Sequence, residues 1–343
     1  MPSGILSVKK FNKNKKKNEE KKKKKDSEWH SRPYVFENKF LTGFSHVNLS
    51  GVGCPDLGSI LLMPTHGELE LDPEQYGTTF TNQKSVPGEY SCTLEKYNIA
   101  VNVTADIRSG FSRYTFPRGQ ANIILNLGLG LTNETGASLK VLSDHEVEGF
   151  KMTGDFCYTP EAVRPVYFYL KINKSADKYG AWKKMPHFKG VEGEWSKYND
   201  AYKPYDAYKG DLAGENLGAY FSYDLREGEQ IEVIVGISYV SAENARMNLE
   251  KELGNKNFEQ VKAHNQNEWE KKLSRIKVEG GSKDDKTIFY TALYHLLMHP
   301  NILQDVNGDY PSMQGFEVLN TGNQNRYTVF SLWDTYRNVH TFL

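Results

Sequence analysis

Cysteine is scarce in this chain, which has only Cys54, Cys92 and Cys157 among 343 residues. Three scattered thiols exclude a disulfide framework and a cysteine-based zinc site, and they read as small buried apolar residues. Long apolar runs are lacking as well. No segment approaches the ~20 residues that a transmembrane helix needs, so no membrane span is expected. Gly4-Ile-Leu-Ser-Val8 is too short for the apolar core of a signal peptide, and the lysines follow it instead of preceding it. Net charge is also missing: Lys+Arg and Asp+Glu both number 43, so the overall balance points neither to nucleic acid nor to a membrane surface. Ser/His/Asp, CxxC and HExxH signatures are absent, which removes the common nucleophile and zinc chemistries.

The even charge balance hides an asymmetry. The first 25 residues hold eleven lysines and two acids. Such a stretch buries too little apolar surface to fold, and residues 1–35 read as a disordered Lys-rich leader. A basic arm can bind nucleic acid or anionic lipid, but nothing downstream has the form of a nucleic-acid module, and no nucleic-acid partner is expected. Aromatic residues are plentiful, with 21 Tyr, 17 Phe and 5 Trp, which suits a β-rich protein and also contact with carbohydrate.

Residues 36–240 carry the signature of strands separated by turns. Ile231, Val233, Val235, Ile237 and Tyr239 alternate with polar or small residues, and Arg226-Glu-Gly-Glu229 before them reads as a hairpin turn. Runs at 60–63, 97–103, 113–116, 122–127, 149–153 and 166–172 have the same character. Many short strands at this spacing predict an antiparallel β-sandwich. Residues 173–215 interrupt the pattern and read as a long irregular insertion. Beyond Tyr239 the period becomes helical. Ser241 is placed to cap a helix ending at Gly254, a second helix carries Phe258, Val261, Trp269, Leu273 and Ile276, and residues 241–280 form a helical linker. Ser282-Lys-Asp-Asp285 resembles a capping box opening a helix with Phe289, Ala292, Leu293, Leu296 and Leu297 on one side, stopped by Pro300. Residues 301–327 read as a loop and 330–343 as helix. The fold expected is mixed: leader, sandwich, helical linker, and from 281 to 343 the opening of an all-α domain whose helices cannot bury their own apolar faces.

Four segments hold candidate chemistry. Gly43–Gly58 is glycine-rich and contains His46, Asn48 and Asp56; it lacks the Lys-Ser/Thr ending of a phosphate loop, and His46 by itself reads as a hydrogen-bonded structural residue. Arg108–Pro117 reads as a hairpin with structural roles. Asp305-Val-Asn-Gly-Asp309 has the residue types of a calcium loop without the spacing or terminal Glu of an EF-hand. Trp333-Asp334, within Asn325–Arg337, is open to two readings. A Trp offers a flat apolar face to a pyranose while an adjacent carboxylate accepts from two hydroxyls, or else Phe330, Trp333 and Tyr336 form the buried side of a helix.

Together the phrases GFSHVNLSGVGCPDLGSILLMPTHG (43–67), IRSGFSRYTFP (107–117), FYTALYHLLMHPNILQDVNGDY (289–310) and RYTVFSLWDTYRNVHTFL (326–343) resemble glycoside hydrolase family 92, the exo-acting α-mannosidases. The resemblance runs from about residue 36 to the C-terminus. It implies a β-sandwich joined by helices to a catalytic (α/α)6 barrel, calcium dependence, inversion at the anomeric carbon, and mannose-containing glycans as substrates. It assigns Asp334 to the hydroxyls of the terminal mannose, Trp333 to the shape of that pocket, and His46 to the same substrate site. It also implies a periplasmic or extracellular location. The lysine run stands where the family carries a sugar-contacting Trp, and His46-Val47-Asn48 stands where it usually reads His-Thr-His. The family's acid, base and calcium ligands belong to later parts of the barrel. The expectation is therefore part of an α-mannosidase, inactive by itself; the alternative is a non-catalytic carbohydrate-binding β-sandwich.

Overall fold

The computed structural model describes residues 9–11, 39–48, 56–131, 136–154, 159–328, 332–337 and 339–342. Two antiparallel sheets face each other. Numbered along the chain, the first has the spatial order β1 (Lys9–Phe11), β3 (Gly43–Asn48), β4 (Leu57–His66), β9 (Gly119–Asn126), β16 (Leu217–Leu225), β13 (Lys178–Lys184) and β14 (Tyr202–Asp206). Its outer strand β14 carries Lys203 and Pro204. The second has the order β15 (Asp211–Gly214), β10 (Ala137–Val141), β11 (Glu146–Thr153), β12 (Arg164–Ile172), β17 (Gln230–Ser238), β8 (Ser109–Thr115), β7 (Ile99–Ala105), β6 (Glu89–Leu94), β5 (Thr78–Val86) and β2 (Phe40–Leu41). A one-turn helix α1 (Pro73–Tyr76), capped by Asp72, links β4 to β5.

The alternation seen in the sequence decides which side chains meet. Ile231, Val233, Val235 and Ile237 of β17 join Phe168 and Leu170 of β12 on the inner face, opposite Leu62, Ile123 and Phe221 of the other sheet. Trp182 of β13 lies in the same core and donates its indole N–H to the Leu125 carbonyl at 3.2 Å. It lies across Gly218, where a Cβ would come within 2.7 Å of the indole and 1.9 Å of the Leu125 oxygen. Cys92 is buried here as a small apolar residue; Cys54 and Cys157 lie outside the described residues.

The outer face of the ten-stranded sheet is covered by α2 (Ala242–Glu252) and α3 (Phe258–Leu273). Phe111 and Tyr169 from the sheet meet Ala245, Leu249, Leu253, Phe258 and Val261 in a second apolar cluster. Gly236 makes this contact close, since a Cβ there would lie 2.1 Å from the Ala245 carbonyl oxygen. The Ser241 hydroxyl caps α2, and capping boxes open α3 at Asn257/Gln260 and α4 (Lys283–Leu296) at Ser282/Asp285. Two further short helices follow, α5 (Leu332–Thr335) and α6 (Val339–Phe342).

The structure departs from the sequence reading in four places. Lys9–Phe11, expected to be unfolded, pairs with Gly43–Ser45; the rest of the leader as far as residue 38 lies outside the described residues. The insertion at 173–215 contains three strands, β13, β14 and β15, because strands near a sheet edge tolerate lysines and tyrosines that obscure alternation. The loop 301–327 contains a hairpin, β18 (Asp309–Pro311) with β19 (Val318–Asn320). The single helix expected from 330 is instead the pair α5 and α6, in a stretch where β-branched and aromatic residues weaken helix propensity. Among the described residues no helix is long and apolar enough to cross a membrane.

Candidate functional site

The turn after β7 and the end of β17 hold the segment that leads into the Trp333 motif. Arg108 is buried. Its guanidinium donates from Nη1 to Glu252 Oε1 at 2.8 Å and from Nε to the Gln304 carbonyl at 2.6 Å, while its backbone N–H donates to Glu252 Oε2. Burial pushes the Glu252 carboxyl upward, and Arg108 opposes it. Beside this pair lies Asp305, also buried. It accepts from Ser238 Oγ at 2.7 Å and Asn244 Nδ2 at 2.8 Å on one oxygen, and from Asn248 Nδ2 at 2.6 Å on the other. Asn248 closes the arrangement by accepting from the Val306 N–H at 2.9 Å. Burial raises the Asp305 carboxyl, and its three donors pull against that rise.

This polar clasp replaces the calcium-loop reading of 305–309. Asp309 accepts from Asn320, Asn307 and Asn244, and the Asn320 hydrogen bond leads in holding its carboxyl below the usual range. Oxygens facing N–H and O–H donors are turned away from a cation. Among the described residues no group of three or more His, Cys, Asp or Glu side chains could hold a metal ion. The residues described here therefore do not fit calcium. What the clasp does is mechanical: it fixes Gln304 and Asp305, and 301–304 then pairs with 325–328 through Leu303 N–H to Arg326 O at 2.7 Å and Thr328 N–H to Asn301 O at 2.8 Å. The ribbon reaches Thr328, and α5 opens at Leu332.

On α5, Trp333 is 86% exposed, and Leu332 and Tyr336 are exposed beside it. The aromatic side therefore faces solvent, against the reading of a core-facing stripe for Trp333 and Tyr336; the Phe330 and Asp334 side chains lie outside those described. Thr335 and Val339 are buried, and Thr335 Oγ1 meets His340 Nε2 at 2.9 Å.

His46 sits elsewhere, fully enclosed in β3. Its Nδ1–H donates to the Ile60 carbonyl at 2.8 Å, which leaves Nε2 as a buried acceptor without a donor. Burial pulls its pKa down to about 4, against the Ile60 hydrogen bond, so the ring is neutral at pH 7. No hydrogen bond or ring contact among the described residues joins His46 to α5. Asp56 anchors the end of its own loop, accepting from Leu57 N–H, Thr153 Oγ1 and Gly154 N–H on one oxygen.

A groove of about 740 Å³ lies between the β5–β6 turn and α4. Pro87, Leu273, Lys286, Tyr290 and Tyr294 line it, and no carboxylate does. Sequence reasoning missed the clasp residues Ser238, Asn244 and Asn248. The signal was present: Asn244 and Asn248 occur four apart on the side of α2 that also carries Ala245 and Leu249, where apolar residues belong.

Comparison with known proteins places this geometry. Residues 12–238 match the glycosyl hydrolase family 92 N-terminal domain and residues 244–343 match the family 92 catalytic domain. The family GH92 alpha-mannosidase BT3965 from Bacteroides thetaiotaomicron is 27% identical in sequence, with a TM-score of 0.81 over 99% of this chain and 44% of that one. The inverting mannosidase BT2199 from the same species shares the fold, with a TM-score of 0.76 at 19% identity, over 42% of its length. An uncharacterized secreted glycosidase of Arthroderma benhamiae is 23% identical over 89% of this chain and 40% of its own. The chain thus spans less than half the length of these relatives. A sandwich clasped to helices that end in the Trp333 motif, matched by both domains in order, belongs to glycosyl hydrolase family 92.

Proposed function

We propose that this chain supplies the β-sandwich and the opening helices of an (α/α)6 catalytic domain to an exo-acting, inverting α-mannosidase that removes terminal mannose from glycans. The likeness to BT3965 across 99% of the chain carries the reading. Two features of the fold support it. The apolar side chains Ile288 and Leu332 stand in solvent, as helices of a barrel do before neighbouring helices cover them. The Trp333 indole, exposed and reached through a ribbon fixed to the sandwich, can receive the C–H face of a pyranose. In this reading Trp333 and the adjacent Asp334 form one wall of the mannose pocket. His46 offers Nε2 as an acceptor, but behind a closed surface, so a role at the sugar needs that surface to open.

Inversion requires an acid and a base whose carboxyls lie about 6.5–9.5 Å apart across the sugar. The two most buried carboxyls with raised pKa cannot serve: Glu252 is held by Arg108, and Asp305 by three donors. In this reading the pair, and calcium with it, belong to residues other than those described. The secreted relative supports a location outside the cytoplasm.

The test uses the purified chain with aryl α-mannoside and α-mannobiose in the presence of calcium. Background hydrolysis is expected, with any mannose binding in calorimetry lost in Asp334→Ala. Turnover above background overturns the claim of inactivity. Binding that survives both Asp334→Ala and chelation overturns the pocket assignment in favour of a non-catalytic carbohydrate-binding sandwich.

A further inference from the structure

Between Lys184 and Tyr202 the chain leaves the outer edge of the seven-stranded sheet and returns, carrying a 3-10 helix at Gly193–Tyr198. In such a helix, side chains at i and i+3 lie one above the other. Trp195 and Tyr198 are so spaced, and their rings stack with centroids 5.9 Å apart and planes inclined by 29°. Lys197 Nζ lies 5.4 Å from the Tyr198 ring centroid, so both the lysine and the indole engage that ring. The indole is 67% exposed, which leaves its outer face open. A stacked pair of aromatic rings open to water can receive a flat apolar ligand, and a fixed backbone beneath it lowers the ordering cost of binding.

Here it is fixed. Met185 N–H donates to the Ala201 carbonyl at 2.7 Å, Phe188 N–H to Asn199 Oδ1 at 3.0 Å, and Ser196 Oγ to the Gly193 carbonyl at 2.7 Å. His187 Nδ1 meets Asp200 Oδ2 at 2.9 Å across the base of the loop, and both side chains are exposed to water. Charge narrows the ligand. Residues 185–211 hold four lysines (189, 197, 203, 209) and five acids (192, 194, 200, 206, 211), a near-balance that gives a polyanion no field to follow.

We propose that Trp195, backed by Tyr198, is a second carbohydrate platform that takes neutral hexopyranose chains. The apolar C–H face of a pyranose stacks on the open face of the indole, and His187 and Asp200 supply exposed hydrogen-bonding groups on the same loop. The platform grows from the edge of the seven-stranded sheet, whereas α2, α3 and the clasp are built on the ten-stranded sheet. It does not rest on the mannosidase reading, since a polymer can be held at Trp195 whether or not α5 contributes to a pocket.

Native affinity electrophoresis of the purified chain through gels containing soluble α-mannan, dextran or heparin tests it. Retardation by at least one neutral polymer is expected. Trp195→Ala should weaken it about tenfold, Tyr198→Ala by less, and Trp195→Phe should retain most of it. Unchanged circular dichroism and melting of the Trp195 variants would assign a loss to the ring and not to folding. No retardation by either neutral polymer, retardation that Trp195→Ala leaves intact, or retardation by heparin alone would each overturn the proposal.

Discussion

Trp182 is 1% exposed in the sandwich and Trp333 is 86% exposed on α5, and the regions around them differ in the same sense. In the sandwich, each sheet presents an apolar face and the other sheet covers it, so rings such as Tyr114, Phe168 and Phe221 are enclosed within one stretch of chain. Between 276 and 336, Ile288, Phe316 and Leu332 stand in water. One hairpin and a few short helices have too few faces to close on themselves. Order in the first region is intrinsic, from area removed from water. In the second it is lent by the sandwich through Arg108, Glu252 and Asp305. Trp333 and Asp334, which we propose as one wall of a sugar pocket, lie in the region with the lent order, where loops of low local stability and binding functions commonly coincide.

That contrast can be broken from either side. Trp182→Ala should cost about 3–5 kcal/mol in denaturant melts, because the surrounding strands close only partly on the void. A loss below about 1 kcal/mol would mean the sandwich is not the self-sufficient half. The next effect is acid sensitivity at His46. Unfolded, the ring titrates near 6.5; folded, at about 4. Between those values the unfolded chain binds a proton that the folded chain refuses, so stability is full above the upper value and is lost as pH falls toward the lower. The loss is about 3 kcal/mol, and His46→Leu should flatten that part of the stability–pH curve relative to wild type. Parallel curves would remove His46 from the account. Asp305→Ala removes the acceptor that three donors share and should cost about 1–3 kcal/mol, read as faster hydrogen exchange across 301–328 with β17 and β12 still protected. Equal loosening of both regions would show that order is not passed from one to the other. Trp333→Ala should change stability by less than about 0.5 kcal/mol, since its ring touches little.

What the sequence revealed follows the same division. Alternation in Ile231–Tyr239 and the caps at Ser241 and Ser282 were readable because their physics is local: a strand with one covered face, and a helix whose first N–H groups need an acceptor. Strand β5 was not read, since most of Thr78–Val86 is exposed and its polar residues give no period. The family motif around Trp333 was visible, but its exposure was not, because periodicity gives the spacing of aromatic residues and not which side is covered. Asp305 was the hardest case. The residues of Asp305–Asp309 look alike in a cation loop and in a clasp, and only the donors brought from β17 and α2, more than fifty residues away, separate the two.

Strand β14 has a consequence beyond the loop it helps to carry. An open sheet invites another chain to add a strand to it, and this one ends in Tyr202-Lys-Pro-Tyr-Asp206. Pro204 has no N–H to offer a newcomer, and Lys203 brings a charge that docking would have to strip of water. The border that presents aromatic rings to solvent is thereby a poor template for strand addition along β14.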